Sequence, residues 1–198
     1  QPIHLLGHSM GSFLALSSIQ AYPDLYQKLI LSGTTVKPYL LIRISEILAQ
    51  LMALMHGDHS AGNVLNFLSF FRFNKAFKPT RTTFDWLSSD PEVVHSYIND
   101  PYCGFVVSNQ CFRELYRGFK SLCQREFYSH FPSEKPVLVL TGEKDPLSSG
   151  GKGIHQLCHY FKGANIKDVH HIIYKGMRHQ VLTENGKEKV YQDILDWL

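Results

Sequence analysis

Apolar positions along the chain follow two rhythms. Gln1-Pro2-Ile3-His4-Leu5-Leu6 reads as the end of a buried strand. Ser12 to Ala21 follows with Phe13, Leu14, Leu16 and Ile19 on one side, so a helix is expected there. Lys28 to Leu31 is a short strand that ends in Ser32-Gly33-Thr34. Lys135 to Thr141 and Val169 to Tyr174 are apolar, β-rich runs of the kind found in buried parallel strands. A closing helix is expected from about Gly186 to Leu198. Between Thr34 and about Gln124 the strand rhythm stops. Tyr39 to Met55 forms a long apolar helix that carries only Arg43 and Glu46 as charges, too short and too polar for a transmembrane span. A second apolar helix covers Ala61 to Phe71. A third starts at Asp90-Pro91-Glu92, with Asp90 as cap and Pro91 in the first turn. A fourth runs from about Ser108 to Leu122. The pattern divides the chain into an α/β core in two pieces, residues 1–35 and 126–198, and a helical insertion at 36–125.

The first strand and helix meet at Gly7-His8-Ser9-Met10-Gly11, a G-x-S-x-G pentad. Strand, sharp turn and helix are the context in which such a serine stands exposed as a nucleophile. Gly7 and Gly11 are expected to supply room for the turn. The backbone N–H of Met10 is expected to face a developing oxyanion at the helix N-terminus. A serine nucleophile needs a base, and the base needs an orienting carboxylate. Asp145 lies in Gly142-Glu143-Lys144-Asp145-Pro146, on a loop past the strand that ends at Thr141, where α/β sheets place their sites. His179 lies in Gly176-Met177-Arg178-His179-Gln180, just past the last strand. The 34 positions from Asp145 to His179 suit one strand–helix–strand step. The stretch from Ser9 to Asp145 is too long for one such step and holds the insertion.

With these residues in place, GHSMGS, TGEKDP and GMRH, in that order, resemble the α/β-hydrolase superfamily. The chain is most similar to its monoacylglycerol lipase and lysophospholipase group, which is classed with the S33-type serine aminopeptidases. The segment FNKAFKPTRTTFDWLSSDPEVVHSYINDPYCGF is similar to the cap of bacterial lysophospholipase-like members. The resemblance implies the C-terminal part of an α/β-hydrolase fold, a mostly parallel sheet with an inserted helical cap. It makes Ser9 the nucleophile, Asp145 the triad acid, His179 the general base and Met10 an oxyanion donor. It implies no metal and no organic cofactor. Such proteins carry several strands before the elbow and an early His-Gly loop with a second oxyanion donor. This chain starts on the nucleophile strand, so it is expected to be the C-terminal portion of a longer protein.

Composition narrows the function. The 198 residues are 44% hydrophobic with a net charge of +3, which suits one globular domain. No basic run suggests a nucleic-acid partner. Cys103, Cys111, Cys123 and Cys158 contain no C-x-x-C pair and read as reduced, buried thiols of a cytosolic protein. No signal peptide is visible in the chain. His56 and His59 flank Gly57-Asp58 without a third ligand at metal spacing. His8 fills the variable position of the pentad, and His170 and His171 face opposite sides of a strand.

In the insertion, Leu48, Leu51, Met52, Met55 and Phe70 are candidates to line an acyl tunnel or to touch a lipid surface. The competing reading is that they pack the cap onto the core. The expected activity is hydrolysis of a small carboxylic ester, above all a monoacyl lipid, with transient membrane-surface contact through the cap. The rival is a hydrolase-derived binding module without turnover.

Overall fold

The computed structural model describes residues 2–198. Four strands, β1 (His4–His8), β2 (Lys28–Ser32), β3 (Val137–Gly142) and β4 (Val169–Tyr174), form one parallel sheet in the order β1-β2-β3-β4. The register sets Leu29, Ile30 and Leu31 of β2 opposite Val137, Leu138 and Val139 of β3. Successive side chains in a strand point to opposite faces, so each face receives its own apolar set. Leu29, Leu31, Val137 and Val139 pack with Ala15, Leu16 and Ile19 of α1 (Met10–Ala21) and with Ile154, Leu157 and Phe161 of α7 (Lys152–Gly163). Ile30, Leu138 and Leu140 pack with Val190 of α8 (Lys187–Trp197) on the other face. This covering on both sides explains the unbroken apolar run of β3.

The insertion between β2 and β3 carries α2 (Tyr39–His56), α3 (Asn63–Phe70), α4 (Pro91–Asn99) and α5 (Asn109–Leu122), followed by α6 (Arg125–Ser129). Asp90 caps α4 by accepting from the Glu92 N–H at 2.9 Å, with Pro91 at the first position. Ser108 caps α5 through the Cys111 N–H at 3.2 Å. The cap has its own small core of Ala49, Leu65 and Phe112, with Leu48, Met52 and Tyr116 against it. Lys120 of α5 pairs with Glu46 of α2 at 2.6 Å.

The 18 residues of α2 are long and apolar enough to cross a membrane by length and composition. At roughly 27 Å the helix is close to the thickness of a hydrocarbon core. That revises the sequence expectation on length. Here Ile42, Ala49 and Ala53 are buried inside the fold, while Leu40, Ile44, Ile47, Leu51, Leu54 and Met55 are exposed.

Several expectations shift. β1 runs through His8 and α1 starts at Met10, so the strand-to-helix turn is the single residue Ser9. The second cap helix starts at Asn63, two residues later than the pattern suggested. Cys123 and Cys158 are buried free thiols, but Cys103 is half-buried and Cys111 exposed. The pattern of apolar neighbours could not separate these two from buried thiols. His170 pairs with Asp168 at 2.7 Å, and His171 packs on His155 of α7.

The two glycines of the pentad are not equivalent. A Cβ on Gly7 would collide with the backbone oxygen of Gly11 and approach the Ala15 Cβ to 2.8 Å. A Cβ on Gly11 would meet nothing within 4 Å, so Gly11 does not supply the expected clearance. Gly7→Ala should therefore destabilise the protein by about 1–3 kcal/mol. Gly11→Ala, inside a helix, should be neutral or stabilising by up to about 1 kcal/mol. Urea unfolding of the two variants beside the native protein measures both; equal midpoints for the two would contradict the steric account.

Candidate active site

Ser9 occupies a backbone conformation that side-chain-bearing residues avoid, with φ 53° and ψ −122°. The fold holds it there. Its N–H donates to the Ser32 carbonyl at 2.8 Å, and its own carbonyl accepts from the Ser12 hydroxyl at 2.6 Å and the Ser12 N–H at 2.9 Å. Ser9 stands at the cap position of α1, yet its hydroxyl makes no capping bond. The Oγ is instead 2.9 Å from Nε2 of His179.

His179 follows β4 and is 2% exposed. Its Nδ1 is 3.0 Å from Oδ2 of Asp145. Asp145 follows β3 and is 1% exposed. Its other oxygen accepts from the Leu147 N–H at 2.8 Å, and the Thr141 hydroxyl donates to Oδ2 at 3.3 Å. A carboxylate only accepts, so Nδ1 carries the proton and Nε2 is left as the acceptor facing Ser9. The structure thus brings Ser9, His179 and Asp145 into one hydrogen-bonded line from three strand ends. Met10 is the first residue of α1, where a backbone N–H has no partner within the helix.

A cavity of about 660 Å³ lies between the cap and the core, and Pro146 and Leu147, the residues that follow Asp145, form part of its wall. Phe13 of α1 and Leu147 of the loop past β3 reach its wall, close in the chain to Ser9 and Asp145. Leu48, Leu65, Phe70 and Phe119 supply apolar surface from the cap. Of the five cap residues singled out in the sequence, Leu48 and Phe70 line the cavity and the other three do not. The first half of α2 bounds it, and the helix then runs past it. Met52 packs into the cap's small core. Leu51 and Met55 are 48% and 69% exposed on the outside.

Four residues near the line carry weight that the sequence did not signal. The rings of His8 and Trp86 approach that of His179, with centroids at 4.9 and 5.0 Å. Arg178 donates from its guanidinium to the carbonyls of Asp85 and, at 3.0 Å, Ser88. Glu184, almost wholly buried, accepts from Ser88 Oγ at 2.9 Å, Ser89 Oγ at 2.6 Å and the Arg178 N–H at 3.1 Å. Burial alone would raise its carboxyl, but these donors outweigh it and hold it below the usual range. The only hints in the sequence were a histidine inside the pentad and an acid soon after His179.

Burial, and secondarily the neighbouring His179, lowers the His8 imidazole from 6.5 to about 4. Its Nδ1 lies 3.1 Å from Ser32 Oγ. Above pH 6.5 the group is neutral in both folded and unfolded chains. As the pH falls from 6.5 towards 4 the unfolded chain takes up the proton first, so stability declines across that window. His8→Asn removes this titration and keeps a polar group towards Ser32. Its urea midpoint should fall less than the native one between those two pH values, and parallel curves would refute the assignment.

The S33 serine aminopeptidase model matches residues 1–186. A monoacylglycerol lipase of Mycolicibacterium smegmatis is 25% identical, over all of this chain and 62% of its own length. A monoglyceride lipase homolog of Monkeypox virus is 22% identical, over all of this chain and 63% of its own. The chain thus spans less than two thirds of these curated relatives. A thermostable carboxyl esterase of Bacillus coagulans superposes on 99% of the chain with a TM-score of 0.89 at 20% identity, using 64% of its own chain. The sheet, the cap and the family match agree, and the chain belongs to the serine aminopeptidase S33 family of α/β-hydrolases.

Proposed function

We propose that this protein is a serine hydrolase that cleaves carboxylic esters of monoacyl lipids through an acyl-enzyme. The observation that carries the reading is the hydrogen-bonded line Ser9–His179–Asp145, with the serine on a strained turn. In this reading Nε2 of His179 takes the Ser9 proton as Oγ attacks the ester carbonyl. Asp145 keeps the imidazole in the reactive tautomer and stabilises the imidazolium. The Met10 N–H donates to the oxyanion. The alcohol leaves with the proton from His179, an acyl group stays on Ser9, and water activated by the same imidazole releases it.

The substrate class rests on the cavity. A volume of about 660 Å³ with a mostly apolar wall, including Leu48, Leu65, Phe70 and Phe119, suits one acyl chain, and Lys37 and Arg72 also reach that wall. The relatives named as monoacylglycerol lipases support the same choice. The exposed face of α2, with Ile47, Leu51 and Leu54, would rest on the lipid surface from which the substrate is drawn.

A fluorophosphonate probe and intact-mass measurement test the chemistry. The native protein should gain one adduct and Ser9→Ala none; an unlabelled native protein would leave only the binding-module reading. Asp145→Asn should lower turnover about 10⁴-fold. A monoacylglycerol series tests the substrate. Leu48→Trp should shift the preference to shorter acyl chains by filling the cavity. Leu51→Asp should slow hydrolysis of vesicle-borne substrate and leave a water-soluble ester unaffected. An unchanged chain-length profile in the first variant would remove the cavity from the account, and equal slowing on both substrates in the second would remove the membrane contact.

A further inference from the structure

We infer that Trp86 and Glu184 are positioning residues for His179, through a clamp that makes the cap segment Asp85–Ser89 part of the base's mounting. The inference rests on the hydrolase reading above. The residues on both sides of the base hold this segment. Arg178 binds the Asp85 and Ser88 carbonyls, and the Gln180 N–H donates to the Leu87 carbonyl at 2.8 Å. The His179 N–H itself donates to the Trp86 carbonyl at 3.4 Å. Glu184 then collects the far end: its carboxylate accepts from the Ser89 N–H at 2.9 and 3.0 Å, from both serine hydroxyls and from the Arg178 N–H. One carboxylate thereby ties the cap segment and the base's loop to the same point. Asp85, equally buried, folds the preceding turn by accepting from the Arg81 N–H at 2.7 Å and the Thr82 hydroxyl at 2.7 Å.

The clamp delivers one side chain to the base. Trp86 is 8% exposed and its ring packs against the imidazole. The Trp86 backbone N–H donates to Asn74 Oδ1 at 2.8 Å, which fixes the main chain behind the ring. The indole also meets Phe73 at 4.9 Å and Phe70 at 6.0 Å between ring centroids. Both phenylalanines wall the cavity. An unbroken aromatic row therefore runs from the cavity wall to the general base. A chain that fills the cavity presses on Phe70 and Phe73, and through Trp86 on the ring that must stay aligned with Ser9 Oγ. Small misplacements of a catalytic group are expensive in rate, so this row couples cavity occupancy to the reactivity of Ser9.

The test compares the native protein with Trp86→Leu, Trp86→Phe and Glu184→Gln. Each is assayed for fluorophosphonate labelling rate, kcat and KM on a short ester, and the low-field proton resonance of His179 Nδ1. Trp86→Leu should label and turn over about tenfold more slowly with KM unchanged, and its Nδ1 resonance should move or broaden. Trp86→Phe should recover most of the rate. Glu184→Gln, which keeps the size and loses the charge, should slow turnover several-fold with the same resonance change. Native rates and an unmoved resonance in folded Trp86→Leu and Glu184→Gln would overturn the inference. So would a loss in Trp86→Leu that phenylalanine does not recover. Glu184→Gln preserves volume, so it decides the matter if Trp86→Leu fails to fold. A native protein that does not label at all would overturn the hydrolase reading itself, and this inference with it.

Discussion

His179 is almost wholly shut off from solvent, and an imidazole there loses its bonds to water on both ring nitrogens. Both must find partners inside the protein. Asp145 supplies one and Ser9 the other. Each of the three sits at the C-terminal end of a different strand, so the requirement fixes the relative heights of β1, β3 and β4. The parallel register across β2 meets it. Ser9 accepts an unfavourable φ because its N–H and carbonyl are bound on both sides, and its hydroxyl is freed from capping duty as a result.

The cap answers a different need. A site at the sheet end is open to water, and the cap covers part of it with apolar side chains. The first half of α2, with α3 and α5, provides that shelter through Leu48, Leu65 and Phe119. The second half of α2 passes beyond the cavity, which is why residues at similar helical spacing have different surroundings. One helix therefore lines a cavity at one end and presents Leu51 and Leu54 to solvent at the other.

Much of this was legible in the sequence. The strands, the closing helix, the cap at Asp90 and the first-turn Pro91 follow from short-range pattern and propensity. Ser9, Asp145 and His179 were visible because each stands in a turn at a strand end, in an order that such chemistry uses. The elbow boundary was misplaced by two residues because a single residue in an unusual conformation makes the turn, and hydrophobic periodicity does not record dihedral angles. Gly11 looked as necessary as Gly7 until the space around each was known. Beyond the acid at Glu184, the clamp around His179 left no mark, since its other acceptors are backbone carbonyls of Asp85, Trp86, Leu87 and Ser88, which any residue offers. Leu51 and Met55 could not be told from Leu48, because the length of a cavity along a helix is set by the elements packed against it.

The network at Glu184 also redraws the border between the two parts of the molecule. By chain order, residues 36–125 form one insertion that interrupts the core. By hydrogen bonding, the five residues Asp85–Ser89 belong with the loop of β4, and only the helices on either side of them are free to differ. The cap is therefore two exchangeable pieces joined by a fixed one. A chimera that swapped 36–125 as a single block would carry away the segment packed over His179. One that swapped the helices and left this segment in place would change what the cavity accepts while preserving the machinery beneath it.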